Sequence, residues 1–148
     1  MNAEEEKMKL DRNLDLSNTN LLDFSLELND PLGLEAEPII ENLNLTRNKL
    51  AAFRGNKIFS LKQLYIGIFL AKSEGNTIKE FGDNRLDNLE KFSIEPLASL
   101  TNFSGNTMPT ITNLQVSELN DLINFNDNVL DNLVNLSLPI NLIHFNRN

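Results

Sequence analysis

The chain of 148 residues has no cysteine and no tryptophan, one histidine and one tyrosine. Without cysteine there is no disulfide framework, no thiolate metal site and no thiol redox chemistry. With His144 as the one histidine, the sequence points away from a histidine-rich metal site and from a Ser/His/Asp triad. Positive charge is missing over a long stretch, since residues 92–146 hold neither Lys nor Arg. A nucleic-acid binder needs a basic face to neutralise phosphates, so the sequence points away from nucleic acid and, for the same reason, from an anionic membrane surface. Long apolar runs are missing too. The longest, "LYIGIFLA" at residues 64–71, falls far below the ~20 residues that span a bilayer. The opening "MNAEEEKMKL" is acidic and lacks the apolar stretch of a signal peptide, which leads to the expectation of a cytoplasmic protein.

What is present is asparagine, 24 of them. Three stand in N-x-S/T sequons, at Asn44, Asn102 and Asn135, a coincidence expected from such abundance. The 41% of hydrophobic residues is enough for one domain with its own core. The net charge of −8 resides in residues 1–41, with 11 acidic and 3 basic side chains, while the remainder holds ten of each. Residues 1–12 read as an acidic tail or cap.

The asparagines fall on a repeat. "LTNFSGN" (100–106), "LINFNDN" (122–128) and "LIHFNRN" (142–148) are one phrase written three times. Phe81, Phe103, Phe125 and Phe145 follow at spacings of 22, 22 and 20, and three residues after each stands Asn84, Asn106, Asn128 or Asn148. Two residues beyond the first three of these come Leu86, Met108 and Leu130. A second series interleaves: "LEKFSI" (89–94), "ITNLQV" (111–116) and "LVNLSL" (133–138) share an apolar-x-x-apolar-x-apolar spacing, again every 22 residues. A fixed period in the twenties marks a solenoid, in which no coil can bury its apolar face alone and stacked coils share one core. Each Phe then sits inward on a short strand, stacked on the next at the ~4.8 Å strand spacing. Each following Asn, with Asn48 as a further member of the ladder, satisfies turn groups in adjacent coils, groups that cost ~1–3 kcal/mol when buried unpaired.

The stretch "IIENLNLTRNKL" (39–50) resembles the leucine-rich-repeat segment L-x-x-L-x-L-x-x-N-x-L, with Ile40, Leu43, Leu45, Asn48 and Leu50 at its places. "INLIHFNRN" (140–148) fits through Ile140, Ile143, Phe145 and Asn148, and "NLDLSNTNLLDF" (13–24) resembles a first copy with Thr19 where Asn is usual. In the copies over 79–130, polar Lys79 and Thr101 stand at apolar positions, and the double series is similar to internalin-like repeats. The resemblance implies an α/β solenoid over residues 13–148: a right-handed coil of about six turns, a parallel sheet on its concave side, and turns or short helices on its convex side. "EAEPIIENL" (35–43), with Pro38 at a helix start, is the candidate helical turn. The register over 53–80 stays open. Asn48 and Asn56 are only eight apart, "LKQLYIGI" (61–68) offers another strand, and "KSEGNT" (72–77) reads as a loop.

The residues flanking each inward Phe are the candidate binding strip: Glu80, Asn102, Asn124 and His144 before it, Ser104, Asn126 and Asn146 after it, then Asp83, Asp127 and Arg147. Tyr65 and Phe69 are the aromatic anchors if exposed, although core packing suits them better. No glycine-rich phosphate loop occurs, and Glu80 with Asp83 lacks the burial that would tune a carboxylate. The expectation is a non-catalytic protein-interaction module without cofactor or metal. It would bind a protein through the concave face or the acidic N-terminal coil. The alternative is a structural segment that self-associates end-on through an uncapped last coil.

Overall fold

The computed structural model describes residues 12–28, 39–67, 76–94 and 99–148. Over these residues the chain winds through thirteen short strands: β1 (Asn13–Asp15), β2 (Glu27–Leu28), β3 (Asn42–Asn44), β4 (Ala52–Arg54), β5 (Lys57–Ile58), β6 (Gln63–Tyr65), β7 (Glu80–Gly82), β8 (Lys91–Ser93), β9 (Asn102–Ser104), β10 (Asn113–Gln115), β11 (Asn124–Asn126), β12 (Asn135–Ser137) and β13 (His144–Asn146). Every pairing is parallel and joins one turn of chain to the next. The result is a solenoid-like stack of six coils. From Asn13 onward the described residues are strands, turns and bends, so the short helices expected beside the sheet are not found among them. Residues 35–38 of the candidate helical turn lie outside the described residues, as do 68–75, with Phe69 and most of the "KSEGNT" loop.

The strands line up in three columns. The first runs β1-β3-β6-β8, with β10-β12 in the same sequence position farther along. The second is the five-stranded sheet β4-β7-β9-β11-β13. The third is β2-β5, continued by single bridges from Lys57 to Arg85, Thr107 and Val129. A three-residue strand places only its middle side chain inward. In the first column these are Leu14, Leu43, Leu64, Phe92, Leu114 and Leu136; in the second they are Phe53, Phe81, Phe103, Phe125 and Phe145. Phe24 of the first coil joins the second series, ring on ring with Phe53. Along that spine the rings stack at centroid distances of 5.8, 5.2, 4.9, 5.0 and 5.5 Å, within 15° of parallel. That interval is close to the strand spacing, so one ring per coil fills the interior without a gap.

This geometry settles the register left open over 53–80. "LKQLYI" supplies β6 with Leu61, Leu64 and Ile66 buried, and "AFRGN" supplies β4 of the same coil. Asn48 and Asn56 are eight apart because they occupy two different corners of that coil. Counted along the chain, a strand centre of the first column and the next of the second are separated by 9–11 residues, except for 17 from Leu64 to Phe81. The return step is 11 residues, except for 19 from Phe24 to Leu43. The unit of construction is therefore a half-coil of about eleven residues, and the two long steps contain segments 29–38 and 68–75.

The Asn series is the hydrogen-bonded counterpart of the ring spine. The Oδ1 of Asn84, Asn106, Asn128 and Asn148 each accepts the backbone N–H and the Nδ2 of the Asn one coil earlier, at 2.9–3.3 Å. The Nδ2 of Asn84, Asn106, Asn128 and Asn148 donates in turn to the carbonyl of Phe53, Phe81, Phe103 and Phe125. Asn56 heads the series and accepts from the N–H of Leu26. Asn48, expected in this ladder, belongs instead to a second one at the other corner. Its Oδ1 accepts the N–H groups of Thr19 and Leu21, and its Nδ2 donates to Leu16 and Leu45. Asn76 continues that corner, donating to the carbonyls of Leu45 and Ile66. Asn48, Asn56, Asn76, Asn84, Asn106 and Asn128 are all buried, yet no buried side-chain N or O among the described residues lacks a partner.

Ile140 and Ile143, expected inward by the leucine-rich-repeat alignment, point outward and are 96% and 68% exposed. The inward pair is Leu142 and Phe145, because the phrase packs through its first Leu and its Phe. Lys79 and Thr101 are polar for the same reason, since they stand one residue after the buried Ile78 and Leu100.

Two expectations for stability follow. Asn106→Ala removes partners from the Asn84 N–H and Nδ2 and from the Phe81 carbonyl. It and Asn128→Ala are each expected to cost about 1–3 kcal/mol, against about ±0.5 kcal/mol for Asn124→Ala or Asn126→Ala; urea midpoints of the four variants measure the contrast. Phe103→Ala and Phe125→Ala, which empty fully buried ring positions, are expected to cost about 3–5 kcal/mol each. Thermal melts check this, and a cooperative wild-type-like melt for Phe125→Ala rules the spine out as the core.

Candidate functional site

The strip expected from the sequence is one face of the five-stranded sheet. Strand register lays the residue before each inward Phe into a row, Ala52–Glu80–Asn102–Asn124–His144, and the residue after it into another, Arg54–Gly82–Ser104–Asn126–Asn146. Beside them a third row turns the chain out of the strand: Gly55, Asp83, Gly105, Asp127 and Arg147, all with φ between 50° and 69°. This row explains the repeated phrase. The chain must enter the left-handed region there to aim the next residue, the ladder Asn, inward, and Gly and Asp tolerate that region better than most residues do.

The charges of this face are largely compensated. Arg54 holds Glu80 at 3.1 Å and Asp83 at 2.7 Å, while Arg147 holds Asp127 at 2.7 Å. The hydrogen bond that Arg54 donates to Asp83, followed by the charge of Glu80, raises the Arg54 pKa above its ordinary value. Between the two charged ends lie amides and hydroxyls. Ser104 donates to Asn102 Oδ1 at 2.8 Å, Asn102 Nδ2 donates to Glu80, and Asn126 Oδ1 accepts the N–H of Asn146. The Asn124 side chain, on the fourth of the five strands, makes no hydrogen bond to any described residue. Five strands at ~4.8 Å make the strip ~19 Å long. His144 is exposed at its far edge.

Seven of the ten expected strip residues are therefore on strands of one sheet, with Asp83, Asp127 and Arg147 in the turn row beside them, but Ala52, Arg54 and Gly55 were missed. Their signal was present: "FRGN" at 53–56 repeats the spacing of "FSGN" at 103–106, and the unresolved register concealed it. Arg54 changes the face most, because it neutralises the two carboxylates that make the sequence look acidic there. Tyr65 is on the first column, half-buried, its hydroxyl donating to Gln63 at 2.8 Å. It borders a shallow depression with Asn13, Asp15, Asn42 and Asn44. There the side-chain and backbone hydrogen bonds of Ser17 lower the Asp15 pKa. Among the described residues no three His, Asp or Glu side chains gather as metal ligands do, and no helix is long and apolar enough to cross a membrane.

Comparison with protein-family models, with curated proteins and with solved structures finds no match for this chain.

Gly105 gives a direct test of the turn row. A Cβ there would lie 2.4 Å from the Asp83 carboxylate, in a backbone with φ of +69°. At Gly55, with φ of +65°, it would meet nothing within 4 Å. Gly55→Ala is expected to lose only the left-handed penalty of about 1–2 kcal/mol, and Gly105→Ala to lose more, because Asp83 must also leave its place beside Arg54. Urea midpoints of the two variants check the order.

Proposed function

We propose that the chain is a non-catalytic protein-interaction module of the leucine-rich-repeat type, acting in the cytoplasm. It contacts a protein through the strip on the Phe-backed sheet, with the acidic first 41 residues as a second contact. The observation that carries this reading is Asn124. Its amide sits on a rigid sheet, on the strand next to the far edge of the strip, with no described partner, beside Asn102, Ser104 and Asn126 in fixed register. Side chains held on a paired sheet lose little further entropy on binding, which favours them as contacts. The strip is narrow, and a stable interface takes ~800 Å² from each partner, so the contact is of low affinity unless neighbouring surfaces join it. The leucine-rich-repeat assignment draws support from Ile40, Leu43, Leu45 and Leu50, all buried as that motif requires, and from Asn48 at its corner.

A second reading is favoured by a different observation. The last coil exposes Ile140, Ile143 and 47% of Phe145 beside the unpaired edge of β13. Open edges and apolar ends promote association, and a structural segment stacking end-on would use them.

Pull-down with the Asn102→Ala, Asn124→Ala, Asn126→Ala triple variant and with Phe145→Glu separates the two. The first reading expects the triple variant to lose its captured protein while melting as wild type, and Phe145→Glu to retain it. If the triple variant keeps its partner and Phe145→Glu loses it, the end-on reading holds. Light scattering on Phe145→Glu adds an independent measure, because end-on stacking predicts a fall in mass towards the monomer.

A further inference from the structure

We infer that the first-column sheet carries a sugar-binding site, a trough over β1 and β3 closed by Tyr65, which accepts a single neutral hexopyranose ring, free or at the end of a glycan. The site lies on a different sheet from the strip and does not depend on the protein contact proposed there. A three-residue strand with its middle side chain inward leaves a bare floor between two outward side chains. On β1 and β3 that floor is the backbone of Leu14 and Leu43. The walls are Asn13 with Asn42 on one side and Asp15 with Asn44 on the other. They stand two residues apart along the strand, about 6.6 Å at the backbone. On β6 the same trough is bridged, because the Tyr65 hydroxyl donates to Gln63 Oε1 at 2.8 Å and ties the ring down along that strand. Tyr65 therefore forms the end wall of the depression, whose volume of about 170 Å³ suits one hexose ring.

The polar groups of the trough are only partly used, and what remains is mixed. Asn42 Nδ2 donates to Asn13 Oδ1, which leaves Asn13 Nδ2 and Asn42 Oδ1 without a partner among the described residues. On the other wall Asn44 Oδ1 accepts both the N–H and the hydroxyl of Thr46, and its Nδ2 stays unpaired among the described residues. Asp15 accepts the N–H of Ser17 at 2.9 Å, and a carboxylate has lone pairs for further donors. Each wall thus presents one donor and one acceptor, with an aromatic ring at the end.

That inventory selects the ligand. A hydroxyl donates one hydrogen bond and accepts two, so neighbouring hydroxyls of a sugar satisfy a donor and an acceptor on each wall. The C–H face of the sugar meets Tyr65, a side chain with an apolar body and a polar tip. A phosphate or carboxylate is not accommodated, because Asp15 is the one ionised side chain lining the depression, and the Ser17 hydrogen bonds that lower its pKa keep it ionised. A guanidinium or ammonium only donates and would leave the Asn13 and Asn44 amide N–H groups unpaired. An added peptide strand finds no backbone to pair over the floor, since β3 is already hydrogen-bonded on both sides, to β1 and to β6.

The test titrates the full chain with the methyl α- and β-glycosides of glucose, galactose, mannose and N-acetylglucosamine, and reads the side-chain amide NMR signals of Asn13, Asn42 and Asn44. At least one glycoside is expected to shift these signals saturably while leaving those of Asn124 unmoved. Asn42→Ala and Tyr65→Ala are each expected to weaken that binding about tenfold, and Tyr65→Phe, which keeps the ring, to weaken it less. Asn13→Ala, at an exposed position, is expected to melt as wild type and to weaken binding as well, so the test stands even where Tyr65→Ala fails to fold. A trisaccharide ending in the preferred sugar separates the two sources: tighter binding than the methyl glycoside supports the end of a glycan, and equal binding supports a free sugar. No shift at about 50 mM of any glycoside, equal shifts with inorganic phosphate or acetyl-arginine amide, or binding unchanged in Asn13→Ala and Asn42→Ala each overturns the inference.

Discussion

The constraint on which this molecule depends is the satisfaction of backbone polar groups at its corners. A three-residue strand pairs its own N–H and C=O groups and then must turn, and each turn faces a dry interior. At the corner after each second-column strand one carboxamide answers this, because it accepts from the coil before and donates to a carbonyl there as well. A hydroxyl is too short to do both, and a carboxylate accepts only. This is why asparagine, an unfavourable residue within strands, recurs once per coil in this series, and why the left-handed residue that aims it recurs one place earlier. The ring spine and the amide ladder fix the same interval from opposite chemistries. Dispersion sets it in the middle of the sheet, and hydrogen bonding sets it at the edge.

Much of this was legible because both ladders are written at constant spacing. Phe81, Phe103 and Phe125 and the Asn three residues after each are visible as letters, and their inward placement follows from period two in a strand. What failed did so for one physical reason: two corners use the same residue. Asn48 and Asn56 look like a violated period when they are read as one series, and Asn56, Phe53 and Arg54 are lost with it. The alignment to a leucine-rich segment misplaced Ile140 and Ile143 for a related reason, since five residues separate strand centre from Asn at one corner and three at the other. Of the candidate site, the row membership of Asn102, Asn124 and Asn126 follows from spacing alone. The neutralisation of Glu80 and Asp83 by Arg54 does not, because it depends on the coil whose register was ambiguous.

The two faces of the stack differ in how fully their backbone is used. The sheet carrying the strip is paired without interruption from β4 to β13, so anything it contacts meets side chains only. Among the described residues the first column is interrupted between β8 and β10, and Phe92 of β8 stands where the other coils have leucine. In the spine each ring lies flat on its neighbour, whereas Phe92 approaches the spine from the side and must tilt.

The half-coil spacing has a consequence for how such a chain can change. Only the strand centres, the corner amides and a few apolar residues are tied to neighbours above and below, and the path between two columns is free to vary in length. A step of 19 residues in place of 11 adds only about half a kcal/mol of closure entropy on a logarithmic law. The molecule behaves as a shelf with fixed brackets: new sequence can be hung between them at either long step, displacing no bracket. Growth of surface is then decoupled from growth of core, and a lineage of such chains could diversify what it presents while conserving nothing but an interval.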